Sequence, residues 1–242
     1  MRKAIVIGAS SGLGQEVAKL LLAEGMQLGI AARRVDRLEE IKALAADRVE
    51  VHAIDVTSDE APQALEALIA QVGGMDLFFY ASGVGNHNMD LEPEIELKTV
   101  NVNGLGFTRM VGCAYRYMAE HGGGHIAVIS SIAGTKGLGA APSYSATKAF
   151  QNTYIQSLEQ QANMRGLNIK FTDLRPGFVA TALLGDDHKY PVLLTPEKVA
   201  REMVRAIKRR RHVWVIDWRW RFITSLWRLI PRWLWRRLPI HM

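Results

Sequence analysis

Tyr144 and Lys148 stand four residues apart in SYSATKAF, a segment that reads as helix, so both side chains share one helical face. A free phenol has a pKa near ~10, too high for proton transfer at neutral pH. A neighbouring ammonium favours the phenolate and is expected to lower that value. A tuned phenol suits a general acid for carbonyl reduction, or a general base for alcohol oxidation. The same spacing arises by chance on any helix, so the pair gains meaning only from what else the chain carries.

A second chemical signature lies near the start. GASSGLG places Gly8, Gly12 and Gly14 directly after an apolar strand and at the opening of a helix, with Ser10, Ser11 and Leu13 between them. Residues without side chains let the backbone approach a pyrophosphate, and the helix N-terminus offers free N–H groups and partial positive charge. An ordinary tight turn would explain two of the three glycines. The position at the first strand–helix junction favours a dinucleotide. The second strand then ends in IAARR, and no acid occurs between Glu24 and Asp36. A carboxylate at that strand end would hold a ribose 2′-hydroxyl. Arg33 and Arg34 instead match a 2′-phosphate, so NADP(H) is expected ahead of NAD(H). The plainer reading is two solvated arginines at a helix start.

The elements that must position these groups alternate along the chain. KAIVIG, MQLGIAAR, RVEVHAIDV, MDLFFYASG, GHIAVISS, NIKFTDLRPG and HVWVI read as strands. Helical segments separate them, including a long run from Glu94 to His121 and a last helix opened by Thr195 and Pro196. This alternation predicts a doubly wound α/β fold, a parallel sheet with helices on both faces.

Bulk properties narrow the classes. The 242 residues suit one large α/β domain, and 48% apolar with 22% charged residues is an ordinary globular balance. The single cysteine, Cys113, excludes an internal disulfide, and no ligand set for a metal is apparent. The opening MRKAIVIGASSG does not read as a secretory signal, so a cytoplasmic location is expected. The net charge of +6 is segregated. Residues 201–242 carry twelve Lys/Arg against Glu202 and Asp217. Segregated charge concerns a partner or a surface more than a fold.

Taken together, residues 1–216 resemble the short-chain dehydrogenase/reductase family. Gly8, Gly12 and Gly14 match its cofactor turn, and Tyr144 with Lys148 matches its Y-x-x-x-K. Ser131 matches its serine after the fifth strand, and Asn101 its N-x-x-G asparagine, in register with Gly104. Asp55-Val56 matches the adenine-contacting pair, and Pro176-Gly177 with Thr181 the segment that touches the nicotinamide carboxamide. The resemblance implies a Rossmann-type sheet of seven strands in the order 3-2-1-4-5-6-7. It also implies roles. Tyr144 would donate the proton, Lys148 would tune it and hold the nicotinamide ribose, Ser131 would bond the carbonyl, and Asn101 would position a relay water. By chemistry alone Ser130 competes with Ser131 and Asn103 with Asn101, while Asp55 and Thr181 also suit local caps. One departure stands out: Tyr80, Ala81, Ser82 and Gly83 occupy the place of the family's NNAG, with Ser82 and Gly83 still small enough for close approach to a cofactor.

The expected activity is therefore an NADP(H)-dependent oxidoreductase on a carbonyl/alcohol pair. A non-catalytic dinucleotide-binding regulator and a membrane-associated scaffold are the alternatives. Leu183, Leu184, Tyr190, Leu193 and Leu194, between Thr181 and Thr195, form a candidate lid that suggests a hydrophobic substrate; His188 within it reads as a surface residue. A homodimer or homotetramer is expected, with Tyr115, Met118, Phe150 and Tyr154 as candidate contacts that could equally face the sheet.

Residues 217–242 form a separate basic extension holding five of the six tryptophans. On a helical projection Trp220, Ile223, Trp227, Ile230, Leu234 and Leu238 share a face, widened by Phe222, Leu226, Leu229 and Trp233. Arg221, Ser225, Arg228, Arg232 and Arg236 line the other side, and Pro231 should kink or divide the helix. Mid-helix arginine argues against spanning, so residues 218–238 are expected to lie peripherally on an anionic membrane surface. Packing on a second subunit is the competing reading. Nucleic acid has the charge but no recognised module.

Overall fold

A computed structural model describes residues 2–184 and 190–240. Strands β1 (Lys3–Ile7), β2 (Gln27–Ala32), β3 (Val49–Ala53), β4 (Leu77–Tyr80), β5 (Gly124–Ile129), β6 (Ile169–Arg175) and β7 (Val213–Val215) form one sheet in the order β3-β2-β1-β4-β5-β6-β7. Every pairing is parallel, as expected. Strand periodicity divides the core into two layers. Ala4, Val6, Leu77, Phe79 and Ala127 face one side, with helices α1 (Gly12–Ala23), α2 (Val35–Lys42) and α7 (Pro196–Lys208). Ile5, Ile7, Phe78, Tyr80, Ile126 and Val128 face the other, with α3 (Ala61–Val72) and α5 (Phe107–Glu120). The long α6 (Pro142–Met164) joins this second layer through Ile155 and Ala162.

The helical run after β4 is not continuous. It begins as α4 (Pro93–Val100), widens into a π-helical turn over Asn101–Gly106, and resumes as α5. Gly106 shows why a small residue sits there: a Cβ on it would lie 2.8 Å from the Val56 carbonyl oxygen. Of the four candidate subunit contacts, Tyr115 and Met118 are buried against the sheet. Phe150 is exposed and stacks on the half-buried Tyr154, with ring centroids 5.5 Å apart.

The basic extension folds back on its own domain, an arrangement outside the alternatives weighed from sequence. Asp217 turns the chain with φ 70° and caps α8 (Trp218–Leu229) by accepting from the Arg219 N–H at 3.0 Å. The Arg219 side chain, hydrogen-bonded to the Asp217 carboxylate, is the main cause that holds its pKa down to about 2. Pro231 separates α8 from the short α9 (Arg232–Trp235). The face that carries Trp220, Ile223 and Trp227 turns inward, which corrects the expectation that it meets a membrane. Trp220 is 1% exposed, edge-on to Phe178 at 5.4 Å. It fills the space beside Gly177, where a Cβ would lie 2.2 Å from Nε1 of the indole. The remainder is tied down by Lys136 Nζ donating to the Ile230 carbonyl (2.9 Å) and Trp235 Nε1 donating to the Gly137 carbonyl (2.8 Å).

Trp220→Ala should therefore destabilise the whole domain by roughly 3–5 kcal/mol through the cavity it leaves. At this size that is a fall in Tm of about 10 °C. Thermal unfolding followed by circular dichroism checks it, and a Tm within a degree of the parent would show that the tail is not part of the core.

Candidate active site

The C-terminal ends of the central strands and the loops after them enclose a groove of about 300 Å³. Gly8, Ser10, Ser11, Gly12, Leu13, Gly14, Arg33, Arg34, Asp55, Val56, Ser82, Gly83, Tyr144, Lys148, Pro176, Gly177 and Thr181 all line it, so the structure brings the sequence-derived cofactor set together. The turn is packed too closely for side chains. A Cβ on Gly8 would lie 2.7 Å from the Ser82 nitrogen, and one on Gly14 would lie 2.2 Å from the Gly8 carbonyl oxygen. Gly8 also has φ 88°. These glycines place the N-terminus of α1 beside the end of β4, which fits a pyrophosphate. Arg34 Nη2 donates to the hydroxyls of Ser11 (2.8 Å) and Ser10 (3.2 Å), tying the end of β2 to the turn. Asp55 accepts from the Thr57 N–H at 3.0 Å and the Thr57 hydroxyl at 2.7 Å; the Thr57 N–H bond chiefly holds its pKa below the usual carboxylate value. The residue that departs from NNAG most, Tyr80, is a core side chain edge-on to Phe107 at 5.2 Å.

At the inner end of the groove stand Tyr144, Lys148 and Ser131. Ser131 follows β5, accepts from the Ala133 N–H (3.1 Å), and its hydroxyl lines the groove near enough to Tyr144 to favour the phenolate. The competing Ser130 also lines the groove, but its hydroxyl is committed to the Asp173 carboxylate, which also pairs with Arg175 at 2.6 Å. Lys148 is buried; its ammonium donates to the Ile129 carbonyl (3.2 Å) and to Gln151 Oε1 (3.0 Å). Burial pushes its pKa down to about 8, against a smaller upward pull from Asp173. The expected lowering of the Tyr144 pKa is not found. Lys148 Nζ sits 5.7 Å from the ring centroid, and burial raises the phenol's pKa, with the Ser131 hydroxyl offsetting part of that rise.

The asparagine assignment needs correction. Asn101 lies on the exposed side of the π-helical turn. Asn103 is fully buried: its Oδ1 accepts from the Val84 N–H (2.9 Å), and its Nδ2 donates to the Val84 carbonyl (2.7 Å) and the Thr147 hydroxyl (3.2 Å). It clamps the loop after β4 to α6. Spacing concealed this because Asn103 stands three residues before Gly106 just as Asn101 stands three before Gly104. Gln151 Nε2 donates to the Asn103 carbonyl at 2.9 Å, so the bridge from Lys148 to this turn runs through the Gln151 amide. Sequence reasoning missed Gln151, since an amide in mid-helix carries no signal of burial.

It also missed what seats Tyr144. Glu96 accepts from the Ser143 N–H (3.2 Å) and hydroxyl (3.0 Å), and Asn88 Nδ2 donates to it at 2.8 Å, so a carboxylate holds the first turn of α6. The Tyr144 ring lies against Gly85, where a Cβ would approach Cδ2 to 2.5 Å.

Beyond Tyr144 a second cavity of about 410 Å³ opens. Ile132, Leu138, Phe178, Leu184, Tyr190 and Trp227 give it largely apolar walls, and Ile240 from the end of the tail closes it. Ser131, Tyr144 and Gly177 line both spaces, so the two meet at the hydroxyl pair. Of the candidate lid, Leu183, Leu184 and Tyr190 line this cavity, Leu194 is core and Leu193 is exposed; Asp186, Asp187, His188 and Lys189 lie outside the described residues. Among the described residues no group of three His, Cys, Asp or Glu is placed to hold a metal ion.

The two asparagines separate in stability. Asn103→Ala strands the Val84 N–H and carbonyl and should cost roughly 2–4 kcal/mol. Asn101→Ala should stay within about 0.5 kcal/mol of the parent. Urea unfolding of both variants checks the assignment, and equal losses would contradict it.

A family model described as short chain dehydrogenase matches residues 2–190. An uncharacterized oxidoreductase of Myxococcus xanthus is 31% identical over 237 residues, 95% of this chain and 93% of that relative. A glycine betaine reductase of Emericella nidulans is 34% identical over 87% of this chain, which spans only 18% of that longer protein. Among solved structures, an alcohol dehydrogenase from Thermococcus sibiricus complexed with 5-hydroxy-NADP superposes with a TM-score of 0.77 at 25% identity, covering 89% of this chain and 96% of that one. The chain, with its parallel sheet, glycine turn and Ser131–Tyr144–Lys148 cluster, belongs to the short-chain dehydrogenase/reductase family of oxidoreductases.

Proposed function

We propose that the protein uses NADP(H) to interconvert an apolar ketone or aldehyde and its alcohol, with Tyr144 as the proton donor and acceptor. The observation that carries this reading is the junction at Ser131 and Tyr144, where the cofactor groove opens into the apolar cavity. A carbonyl oxygen placed there accepts from both hydroxyls, while its apolar substituents lie against Phe178, Leu184 and Trp227. Tyr144 holds its proton in the free site, and its raised pKa means that donation to a carbonyl depends on stabilising the phenolate that forms. Lys148, with its charge close to the ring, stabilises the phenolate left behind. Asn103 and Gln151 hold that lysine and the loop at Val84 in place.

The residues of the groove fit NADP(H), which when bound supplies or accepts the hydride. The glycine cradle suits the pyrophosphate, and Arg33 and Arg34 line the groove at the end of β2, where no carboxylate stands, which supports a cofactor with a ribose 2′-phosphate. The Thermococcus sibiricus relative, complexed with 5-hydroxy-NADP, supports the same cofactor. A regulator that only senses dinucleotide would need neither the Ser131 hydroxyl nor the Tyr144 hydroxyl where the second cavity opens.

Two measurements test this reading. NADPH oxidation with a panel of aromatic and alkyl aldehydes and ketones should fall by orders of magnitude in Tyr144→Phe while NADPH still binds; near-normal turnover would remove Tyr144 from the chemistry. Replacing Arg33 and Arg34 together with alanine should remove a charge-assisted contact worth about 1.5–3 kcal/mol from NADPH binding and spare NADH. An equal loss for both cofactors would show that the arginines serve only the turn.

A further inference from the structure

We propose that the outward face of α8 and α9 docks on an anionic phospholipid bilayer. Docking Trp220, Ile223 and Trp227 into the domain leaves the opposite face of α8 uncovered, and that face is not polar. Trp218 (72% exposed), Phe222, Leu226 and Leu229 (77% exposed) fall along it at helical spacing, and Trp233 and Leu238 are exposed past Pro231.

Arginines border this surface. By helical phase Arg221 and Arg228 lie on one flank of the α8 stripe and Arg219 on the other, with Arg232, Arg236 and Arg237 beyond Pro231. Residues 218–240 hold six arginines and no carboxylate, a charge equal to the +6 of the whole chain. Arg219 is paired with Asp217, and Arg221 lies over the Trp214 ring at 4.2 Å. Among the described residues Arg228, Arg232, Arg236 and Arg237 form no ion pair.

Indole and phenyl rings flanked by guanidinium groups match a headgroup boundary. The rings enter the acyl edge, and the arginines reach sideways to lipid phosphates. A second copy of the same face is a poorer occupant. A two-fold contact would set arginine against arginine with no carboxylate in the patch to relieve it. Among the described residues no helix is long and apolar enough to cross a membrane, so the contact is with the surface. The inner side of the same segment carries Trp227 and Ile240, which wall the apolar cavity. Docking would bring that wall towards the lipid without any refolding of the tail.

The test mixes full-length protein with vesicles of phosphatidylcholine, with or without phosphatidylglycerol. The protein should sediment with the anionic vesicles only, salt should weaken the binding, and tryptophan emission should shift to the blue. Trp218→Ser/Phe222→Ser/Leu229→Ser and, separately, Arg228→Glu/Arg232→Glu should each weaken binding at least about tenfold. Both should keep the parent's Tm and NADPH affinity, because every changed side chain is exposed. The proposal is overturned if the parent stays in the supernatant with anionic vesicles at low salt, or if both variants bind as the parent does. It is equally overturned if the variants dissociate an assembly seen by light scattering while vesicle binding persists, which would assign the face to a second copy.

Discussion

The constraint on which the site depends is a buried ammonium. Taking a lysine charge out of water is costly unless it is paired or fully hydrogen-bonded. Among the described residues Lys148 has no carboxylate in contact: Asp173, the acid that acts on it, is held by Ser130 and Arg175. Its stabilisation comes from the Ile129 carbonyl and the Gln151 amide oxygen, neutral groups that leave the charge only partly compensated. A poised lysine results, with a pKa of about 8, close enough to neutrality to respond to what enters the groove beside it.

Much of the surrounding architecture follows from supporting that lysine. α6 must lie against the end of β5, so Gly134 has no room for a side chain: a Cβ there would lie 2.7 Å from the Lys148 backbone. The loop after β4 must pass close by, and a Cβ on Gly83 would touch both Asn103 and Lys148. Asn103 fixes that loop through both polar atoms of its amide, and the π-helical turn presents this asparagine inward. The tail belongs to the same assembly. Trp220 occupies the space left open at Gly177, next to the groove, so the loop after β6 and α8 set each other's positions.

The βα alternation, the parallel sheet, the glycine turn and the Tyr144–Lys148 pair were legible in local periodicity and spacing, while the strand order and Ser131 came from the family resemblance that those motifs carry. What was not legible turned on burial. Asn101 and Asn103 satisfy the same spacing rule, and only the three-dimensional environment distinguishes them. The tail reads in sequence as having one apolar face widened by Phe222, Leu226 and Leu229, but these three fall opposite Trp220 and Trp227 and are exposed, so α8 is apolar on two faces and only one packs on the domain. Gly85, Glu96 and Gln151 look unremarkable in the chain, since their partners lie far away in sequence: Ser143 is 47 residues from Glu96. The direction of the Tyr144 shift was misread for a similar reason. Spacing shows a cation nearby, but not that the surrounding protein withdraws the half-buried phenol from water.

The most direct test of the poised lysine is the pH dependence of kcat/KM for NADPH in carbonyl reduction, which reports groups of the free enzyme. Lys148 carries its charge below about pH 8 and loses it above. The profile should therefore be level below that pH and fall about tenfold per unit above it. A profile that stays level to pH ~10, the ordinary range of a solvated lysine, would contradict the account.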